Sequence, residues 1–119
     1  MKTAMRLLPE ILAERGAGER IELDLRVPAD LAYFDGHFPG MPILPGVVQI
    51  DWSIRLGRER LPLRGGFVAA EQLKFLSIIR PDMRLTLSLQ INTHGERLGF
   101  SYAAKERKYS SGTLVFGAP

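Results

Sequence analysis

The sequence predicts an α+β domain in which a curved antiparallel sheet wraps one long central helix. Two observations predict this fold class. Residues 46–59 are apolar at helical spacing, and several segments of alternating apolar and polar residues, joined by short loops, follow them. Consecutive strands with short connections favour an antiparallel sheet, and the helix can bury its apolar sides against one face of that sheet.

The pattern at the start of the chain indicates a short helix and then a strand. Residues 5–15 carry four apolar side chains at helical spacing, and Gly16 and Gly18 follow as a stop. Residues 19–27 then alternate between charged side chains and the apolar residues Ile21, Leu23, Leu25 and Val27. We expect a half-exposed strand there, which ends at Pro28.

A loop of unusual composition leads into the long helix. Residues 33–46 contain three prolines and three glycines and almost no polar side chains, which predicts an ordered apolar loop. Pro45 is well placed for the entry of the helix at residues 46–59. Because apolar residues lie around nearly its whole circumference, with Gln49 and Asp51 as the exceptions, we expect a helix that is buried on most sides.

The second half of the chain returns to strand patterns. The predicted strands occupy residues 67–79, 85–91, 98–105 and 112–116. Residues 92–96 supply a hairpin loop whose glycine suits a left-handed backbone position. The open face and the edges of such a sheet need a cover, and a dimer is the simplest one.

Length and composition describe one ordinary globular unit. The 119 residues are 45% hydrophobic and 24% charged, which predicts a single domain over residues 1–119 and excludes a disordered or collagen-like chain. The absence of cysteine excludes disulfides, thiolate nucleophiles and Cys-ligated metals. Because no segment has the pattern of a signal peptide or a membrane span, we expect a cytoplasmic protein.

The charge balance is slightly basic. The chain carries 16 Lys and Arg against 13 Asp and Glu, a net charge of +3 at pH 7, which suits an acidic macromolecular partner. The longest basic cluster, residues 105–108, is interrupted by Glu106 and falls at a predicted turn. A solvated surface is therefore favoured over a nucleic-acid-binding site, and no nucleic acid is expected as a partner.

The predicted loop and the start of the long helix contain the parts of an acid–base site. His37 is a candidate base, since imidazole titrates near neutral pH, although a packed or exposed histidine without a chemical role fits the same pattern. Asp51 is a candidate acid if it is buried and protonated, but its spacing also allows an i,i+4 ion pair with Arg55. The N–H groups of Gly46 and Val47 suit the polarisation of a carbonyl oxygen, as those of any helix start do.

Other chemistries lack their signatures. His94 is expected to be exposed in a hairpin loop, and the histidines and acidic residues show no metal-ligand spacing. No serine lies in a Gly-x-Ser-x-Gly pattern, and the glycines form no nucleotide-binding motif. The sequence therefore predicts no metal site and no bound cofactor.

The same loop and helix start resemble the active-site motif of the 3-hydroxyacyl-acyl-carrier-protein dehydratases, His-Phe-Pro-Gly-x-Pro-x-x-Pro-Gly-Val followed by an acidic residue. The motif stands complete in residues 37–47, with Asp51 at the acidic position. Residues 73–75 and 80–81 resemble the strand and turn that follow the helix in that family, so the resemblance covers residues 21–116. In having aspartate at the acidic position, the sequence resembles two branches of that family: the branch that also isomerises the double bond, and a branch attached to aryl-polyene pathways.

The resemblance implies a hotdog fold, a homodimer or a higher oligomer of dimers, and sites at the subunit interface that need no cofactor. It assigns His37 as the base that removes the C2 proton and Asp51 of the opposite subunit as the acid that protonates the departing 3-hydroxyl. Gly46 and Val47 are implied to hold the thioester oxygen through their N–H groups. The implied reaction removes water from a (3R)-3-hydroxyacyl thioester on acyl carrier protein and leaves the trans-2-enoyl thioester.

Two further sets of residues are candidates on this interpretation. The residues that could line an acyl tunnel, or equally form ordinary core around the helix, are Phe38, Met41, Ile43, Leu44 and Trp52. The basic residues that could contact an acidic carrier protein, or simply be solvated, are Arg55, Arg58, Lys74, Arg80 and Lys105. The alternative functions are thioester hydrolysis, enoyl isomerisation, or a non-catalytic hotdog subunit that binds carrier protein.

Overall fold

The computed structural model describes residues 6–34 and 40–117, in which one α-helix packs on a six-stranded antiparallel sheet. The strands are β1 (Glu10–Ala17), β2 (Arg20–Arg26), β3 (Gly66–Phe75), β4 (Arg84–Ile91), β5 (Arg97–Ala104) and β6 (Arg107–Gly117). The helix α1 spans Gly46–Arg60, and one turn of 3-10 helix covers Ala32–Phe34. The predicted α+β class, with a sheet around a central helix, is confirmed.

The order of the strands separates the two edges of the sheet. It is β1-β2-β4-β5-β6-β3, and every neighbouring pair is antiparallel. The chain leaves the sheet after β2, passes through α1 and returns as β3 at the far edge. Strands β1 and β3 are therefore the edge strands, and β3 is the edge that directly follows the helix.

The register of the central strands places a row of apolar side chains on the helix side of the sheet. Leu23 pairs with Leu87 and Leu25 with Leu85 across β2 and β4, and all four are at most 3% exposed. Trp52 of α1 belongs to the same buried cluster. Burying a large apolar side chain contributes about 1.5–3 kcal/mol, so this layer fixes the position of α1 on the sheet.

The prediction of a helix over residues 5–15 is wrong, because most of this segment forms β1 and pairs with β2. Its charged side chains find partners across the strands: Arg15 contacts Glu22 at 2.9 Å, and Glu10 contacts Arg26 at 2.6 Å. The glycines end no helix; Gly16 and Gly18, with φ of 104° and 70°, belong to the β1–β2 hairpin.

Helix α1 has nearly the predicted bounds, but the prediction that it is buried on most sides is wrong for the single chain. Its buried residues share one side of the helix and are Val48, Gln49, Trp52, Ser53, Leu56 and Gly57. The opposite side has no sheet to pack against, and Val47 is 71% exposed there. Pro45 precedes the helix with a φ of −62°, and Leu61 N–H donates to the Gly57 carbonyl at the other end.

The strands of the second half are confirmed, with changed bounds. Strand β3 ends at Phe75 rather than continuing to Ile79, because the N–H groups of Leu76 and Ser77 both donate to the Tyr109 carbonyl. The predicted β4–β5 loop is present, and Gly95 adopts the expected left-handed conformation with a φ of 74°.

No helix in the part of the chain that the structure describes is long and apolar enough to cross a membrane.

Candidate functional site

The N-terminal end of α1 meets the preceding loop and the β3–β4 connection at an open groove of about 490 Å³. The groove is lined mainly by apolar residues, which are Ile43, Leu44, Pro45, Gly46, Gln49, Phe75, Leu76, Ser77, Ile78 and Ile79. Part of the motif thus lies beside a surface that can accept an apolar chain. The candidate base His37 and the candidate pocket residue Phe38 lie outside the described residues.

The first two residues of α1 have backbone N–H groups without a carbonyl partner among residues 6–34 and 40–117. The N–H groups of Val48 and Gln49 both donate to the Pro45 carbonyl, at 3.1 and 3.2 Å. Among the described residues, no carbonyl accepts a hydrogen bond from the N–H of Gly46 or Val47, and the first N–H groups of a helix have no partner within it. These groups, at the positive end of the helix dipole, can donate to an external oxygen.

Glycine at the start of α1 allows close approach to β3. A Cβ atom at Gly46 would lie 2.8 Å from Cζ of Phe75. A side chain at this position would therefore push the Phe75 ring out of its place in the groove wall. Glycine at position 46 lets Phe75 line the groove and leaves the N–H groups beside it accessible.

Asp51 lies one helical turn after Val47 on the exposed side of α1. Its side chain is 43% exposed, and its Oδ2 accepts a hydrogen bond from Nε of Arg55 at 2.8 Å. The i,i+4 ion pair that the spacing allows is therefore formed in the single chain. Since residues four apart share a helix face, Val47 and Asp51 are presented together to whatever molecule covers this side of the helix.

A buried polar network holds the same helical turn against the sheet. Gln49 Nε2 donates to the Leu44 carbonyl at 3.1 Å, and Gln49 Oε1 accepts from Ser110 Oγ at 2.6 Å. The main-chain carbonyl of Gln49 accepts from Ser53 Oγ and from the Tyr102 hydroxyl. Complete burial raises the pKa of Tyr102 well above the ordinary tyrosine value, and the contact of its hydroxyl with Ser53 Oγ offsets a part of that rise.

Sequence reasoning gave Gln49 no role in the site. The available signal was a polar side chain in an otherwise apolar helix, and such a residue is hydrogen-bonded when it is buried. Its partners could not be read from the spacing, because Ser110 is 61 residues away in the chain.

The described candidate acyl-pocket residues lie in three different environments: the groove, the surface and the core. Ile43 and Leu44 line the groove at α1, whereas Met41 is 53% exposed. Trp52 is fully buried in the core, and its indole N–H donates to the Leu7 carbonyl at 2.9 Å. In the single chain Trp52 therefore has the contacts of a core residue, which is the alternative that the sequence left open.

The candidate carrier-contacting residues lie on four different parts of the fold. Arg55 and Arg58 are exposed on α1, and the Arg58 guanidinium lies 5.2 Å from the centre of the Phe116 ring. Lys74 lies on β3, Arg80 in the β3–β4 connection and Lys105 in the β5–β6 turn. Of these five residues, Arg55 and Arg58 are the two that lie on the same helix as Asp51.

Across residues 6–34 and 40–117, no three His, Cys, Asp or Glu side chains are grouped so that they could hold a metal ion.

Comparisons with known proteins identify relatives along most of the chain. The family model described as "ApeI-like: ApeI dehydratase" matches residues 13–113. A 3-hydroxyacyl-[acyl-carrier-protein] dehydratase FabZ from Oenococcus oeni is 29% identical over 82% of this chain and 75% of its own length. The FabZ of Erythrobacter litoralis is 33% identical over 77% of this chain and 67% of its own length.

Two solved structures share the architecture. The dehydratase heterocomplex ApeI:P from Xenorhabdus doucetiae contains a chain that matches with a TM-score of 0.83 and 29% identity, over 90% of this chain and 96% of that one. An uncharacterized protein from Erwinia carotovora subsp. atroseptica matches with a TM-score of 0.80 and 36% identity, over 91% of this chain and 94% of its own. The hotdog fold implied by the motif is confirmed.

Proposed function

Because the chain belongs to the ApeI-like dehydratase family, we propose that it converts a (3R)-3-hydroxyacyl thioester to the trans-2-enoyl thioester in fatty acid or polyene biosynthesis. The proposed substrate is attached through phosphopantetheine to an acyl carrier protein. The relatives named 3-hydroxyacyl-[acyl-carrier-protein] dehydratase support this choice of substrate. The reaction transfers protons and releases water, so its balance requires no redox partner.

Three groups perform the proposed chemistry. His37 accepts the C2 proton, and Asp51 from a second subunit donates a proton to the departing 3-hydroxyl. The N–H groups of Gly46 and Val47 hold the thioester oxygen, where negative charge develops as the C2 proton leaves. The C2–H and C3–O bonds break, the C2–C3 double bond forms, and proton exchange with solvent restores the histidine and the aspartate.

The observation that carries this proposal is the exposed end of α1. It combines two N–H groups that have no carbonyl partner among the described residues with an adjacent apolar groove, and on the same face it presents the Asp51 carboxylate to a second subunit. The N–H groups suit a developing oxyanion and the groove suits an acyl chain, while the carboxyl group can serve a leaving hydroxyl in the site of the partner subunit.

A second subunit is proposed to complete the site across β3. This edge strand and the connection after it expose apolar side chains, which are Phe67, Val68, Leu73, Phe75, Leu76 and Ile78. Exposed apolar surface on a sheet edge is typical of an interface. We infer a second copy of this chain there. A different dehydratase chain is the alternative occupant, since the Xenorhabdus doucetiae relative is described as a heterocomplex.

The acidic carrier protein is proposed to contact Arg55 and Arg58. Both are exposed on the helix that carries Asp51, and opposite charge favours the encounter of carrier and enzyme. The phosphopantetheine arm would then have a short path to the groove at the start of the same helix.

An assay with matched substrates tests the proposed function. The purified protein is incubated with (3R)-3-hydroxyacyl thioesters on carrier protein and on coenzyme A, while conjugated enoyl thioester and free thiol are both followed. We expect enoyl product without free thiol, and faster turnover on the carrier protein. Release of free thiol would instead identify a thioesterase.

A histidine variant separates catalysis from carrier binding alone. We expect His37→Ala to lower dehydration about 10²–10⁴-fold, the usual contribution of general base catalysis, while binding of the carrier protein persists. If His37→Ala and the unaltered protein support the same rate, the chain is not the catalyst.

A further inference from the structure

We propose that Gln49 is a positioning residue: its side-chain amide fixes the Leu44 carbonyl and so directs the N–H groups of Gly46 and Val47 toward the thioester oxygen. This inference rests on the proposed function, because these N–H groups are the donors that would hold that oxygen. Gln49 itself is not required to touch the substrate.

Gln49 connects three parts of the fold while only 4% of its surface is exposed. Its amide nitrogen donates to the carbonyl of Leu44 in the motif loop, and its amide oxygen accepts from Ser110 of β6. The N–H of Leu44 in turn donates to the Ile79 carbonyl at 2.9 Å. Both backbone polar groups of Leu44 are therefore held, one by the helix and one by the β3–β4 connection.

Only Pro45 separates Leu44 from the start of α1, so the orientation of the Leu44 peptide group affects the orientation of the first peptide groups of the helix. Pro45 follows with a φ of −62° that its ring restricts. The Pro45 carbonyl accepts from Val48 and Gln49, which fixes the peptide group that carries the Gly46 N–H. With both torsions of Pro45 restrained, a fixed Leu44 carbonyl sets the direction of the Gly46 and Val47 N–H groups, and preorganised donors act most strongly on developing charge.

Ser53 provides a matched comparison within the same network. Its hydroxyl donates to the main-chain carbonyl of Gln49 at 2.9 Å, and it is as fully buried as the Tyr102 side chain that donates to the same carbonyl. Neither side chain contacts Leu44 by a hydrogen bond. Loss of the Ser53 hydroxyl thus perturbs the buried network without releasing the motif loop.

The test compares Gln49→Met with Ser53→Ala in the full chain. Methionine keeps an unbranched side chain of similar length but cannot donate to Leu44. We expect Gln49→Met to lower kcat by a factor on the order of 10 to 100 and to leave KM within about twofold, because the misplaced donors act mainly in the transition state. Ser53→Ala should keep kcat within about twofold of the unaltered protein. Equal kcat values for the two variants would overturn the proposal.

Gln49→Glu provides a test if the methionine variant does not fold. A protonated glutamic acid can donate to the Leu44 carbonyl and accept from Ser110, as glutamine does, whereas an ionised one cannot donate. Rescue therefore depends on protonation. We expect the ratio of kcat for Gln49→Glu to kcat for the unaltered protein to be near one where the introduced side chain is protonated. If the side chain is ionised at neutral pH, this ratio should rise toward one as the pH falls. A ratio that is low at every pH would overturn the proposal.

A second measurement does not depend on activity. NMR order parameters report the fast motion of the Gly46 and Val47 amides, with values of about 0.85 for rigid and below about 0.6 for flexible backbone. We expect lower values in Gln49→Met and unchanged values in Ser53→Ala. If this difference appears in a protein without dehydratase activity, the proposed function fails and the role of Gln49 in fixing these amides stands. Equal values in both variants overturn that role.

Discussion

At the residue scale, the Asp51 carboxyl group has one observed partner, Arg55, and one proposed partner, the leaving hydroxyl of the substrate. In the single chain it pairs with Arg55 on an exposed helix face, a contact that is screened by water and contributes little to folding. In the proposed reaction the same carboxyl group serves the leaving hydroxyl of the substrate. This ion pair must be released before Asp51 can carry the proton that it donates, and because an exposed pair stabilises the fold only slightly, its release is easy.

Replacement of Asp51 by asparagine separates these roles. We expect Asp51→Asn to lower dehydration about 10²–10⁴-fold because the amide cannot supply the proton, while the melting temperature stays close to that of the unaltered protein. Glu59→Gln is the matched control, since it neutralises an exposed carboxylate on the same helix. Similar rates for Asp51→Asn and Glu59→Gln would remove Asp51 from the mechanism.

The buried Tyr102 hydroxyl predicts a loss of stability in alkali. Burial raises the pKa of Tyr102 in the folded protein, so above about pH 10 the unfolded chain ionises this tyrosine while the folded chain keeps it protonated. Its contribution to the free energy of unfolding is complete below that pH and is lost as the pH rises beyond it. Urea titrations at several alkaline pH values measure this decline.

Tyr102→Phe should reduce the alkaline decline. At neutral pH the substitution should cost about 1 kcal/mol, the usual net worth of one hydrogen bond, because Gln49 and Ser53 keep each other as partners. Tyr109→Phe removes a half-buried hydroxyl and leaves Tyr102 in place, so it should retain the decline. Identical pH profiles for both variants would show that Tyr102 does not cause it.

At the element scale, β1 shows why local pattern failed at one end of the chain. The apolar spacing in this segment fits a helix, but its charged side chains pair with residues of β2 and α1 that are distant in the chain. Arg15 contacts Asp24, nine residues away, and Glu14 contacts Arg60, 46 residues away. Such partners are invisible to a short window of sequence, and pairing with β2 outweighs the weak helix preference of a short segment.

The elements that carry the candidate site were predictable because their signals are local. Pro45 and the apolar spacing after it define α1, and strict alternation defines β2 and β4. The same locality explains the missed role of Gln49, whose partners lie in the motif loop and in β6. The position of Gly46, Val47 and Asp51 on α1 followed from the sequence, whereas the network that supports them required the assembled sheet.

A glycine comparison tests how the β4–β5 hairpin supports the end of α1. A Cβ at Gly95 would lie 2.5 Å from the Pro62 carbonyl oxygen, whereas a Cβ at Gly18 meets nothing within 4 Å. Both glycines have positive φ, so Gly18→Ala measures the backbone strain alone, at about 1–2 kcal/mol. Gly95→Ala should cost about 1–3 kcal/mol more, since backbone must move. Equal free energies of unfolding for Gly95→Ala and Gly18→Ala would show that the β4–β5 hairpin can move away from Pro62 without a measurable cost.

At the scale of the whole molecule, the two edges of the sheet differ in what they expose. The β1 edge combines the exposed apolar side chains of Ile11 and Leu12 with ion pairs such as Glu10 with Arg26, while the β3 edge and the connection after it expose six large apolar side chains, among them Val68 and Phe75. The exposed side of α1, with Val47, is also apolar at the site end. The observed surface of one chain is thus consistent with the proposed subunit contact through β3 and the adjoining helix face.

A charge placed on the β3 edge should separate the proposed subunits. Val68 is 63% exposed in the single chain, so Val68→Lys should leave the protomer folded, and lysine on an edge strand disfavours pairing with another edge. Light scattering after size exclusion should show a shift from dimer to monomer, with loss of turnover. Leu12→Lys, at an exposed apolar position of β1, should remain dimeric and active. A dimeric Val68→Lys would place the interface elsewhere.

Complementation between two inactive variants tests whether one site draws on both subunits. In a dimer of one His37→Ala chain and one Asp51→Asn chain, crossed sites give one complete pair and one site that lacks both groups. Random pairing after equal co-expression makes half of the dimers mixed, so about one quarter of the sites should be active. If His37 and Asp51 of one site came from the same chain, no mixed dimer would contain a complete site. The rate of the co-expressed preparation, compared with each variant alone, distinguishes these arrangements because neither single variant can regain the group it lacks.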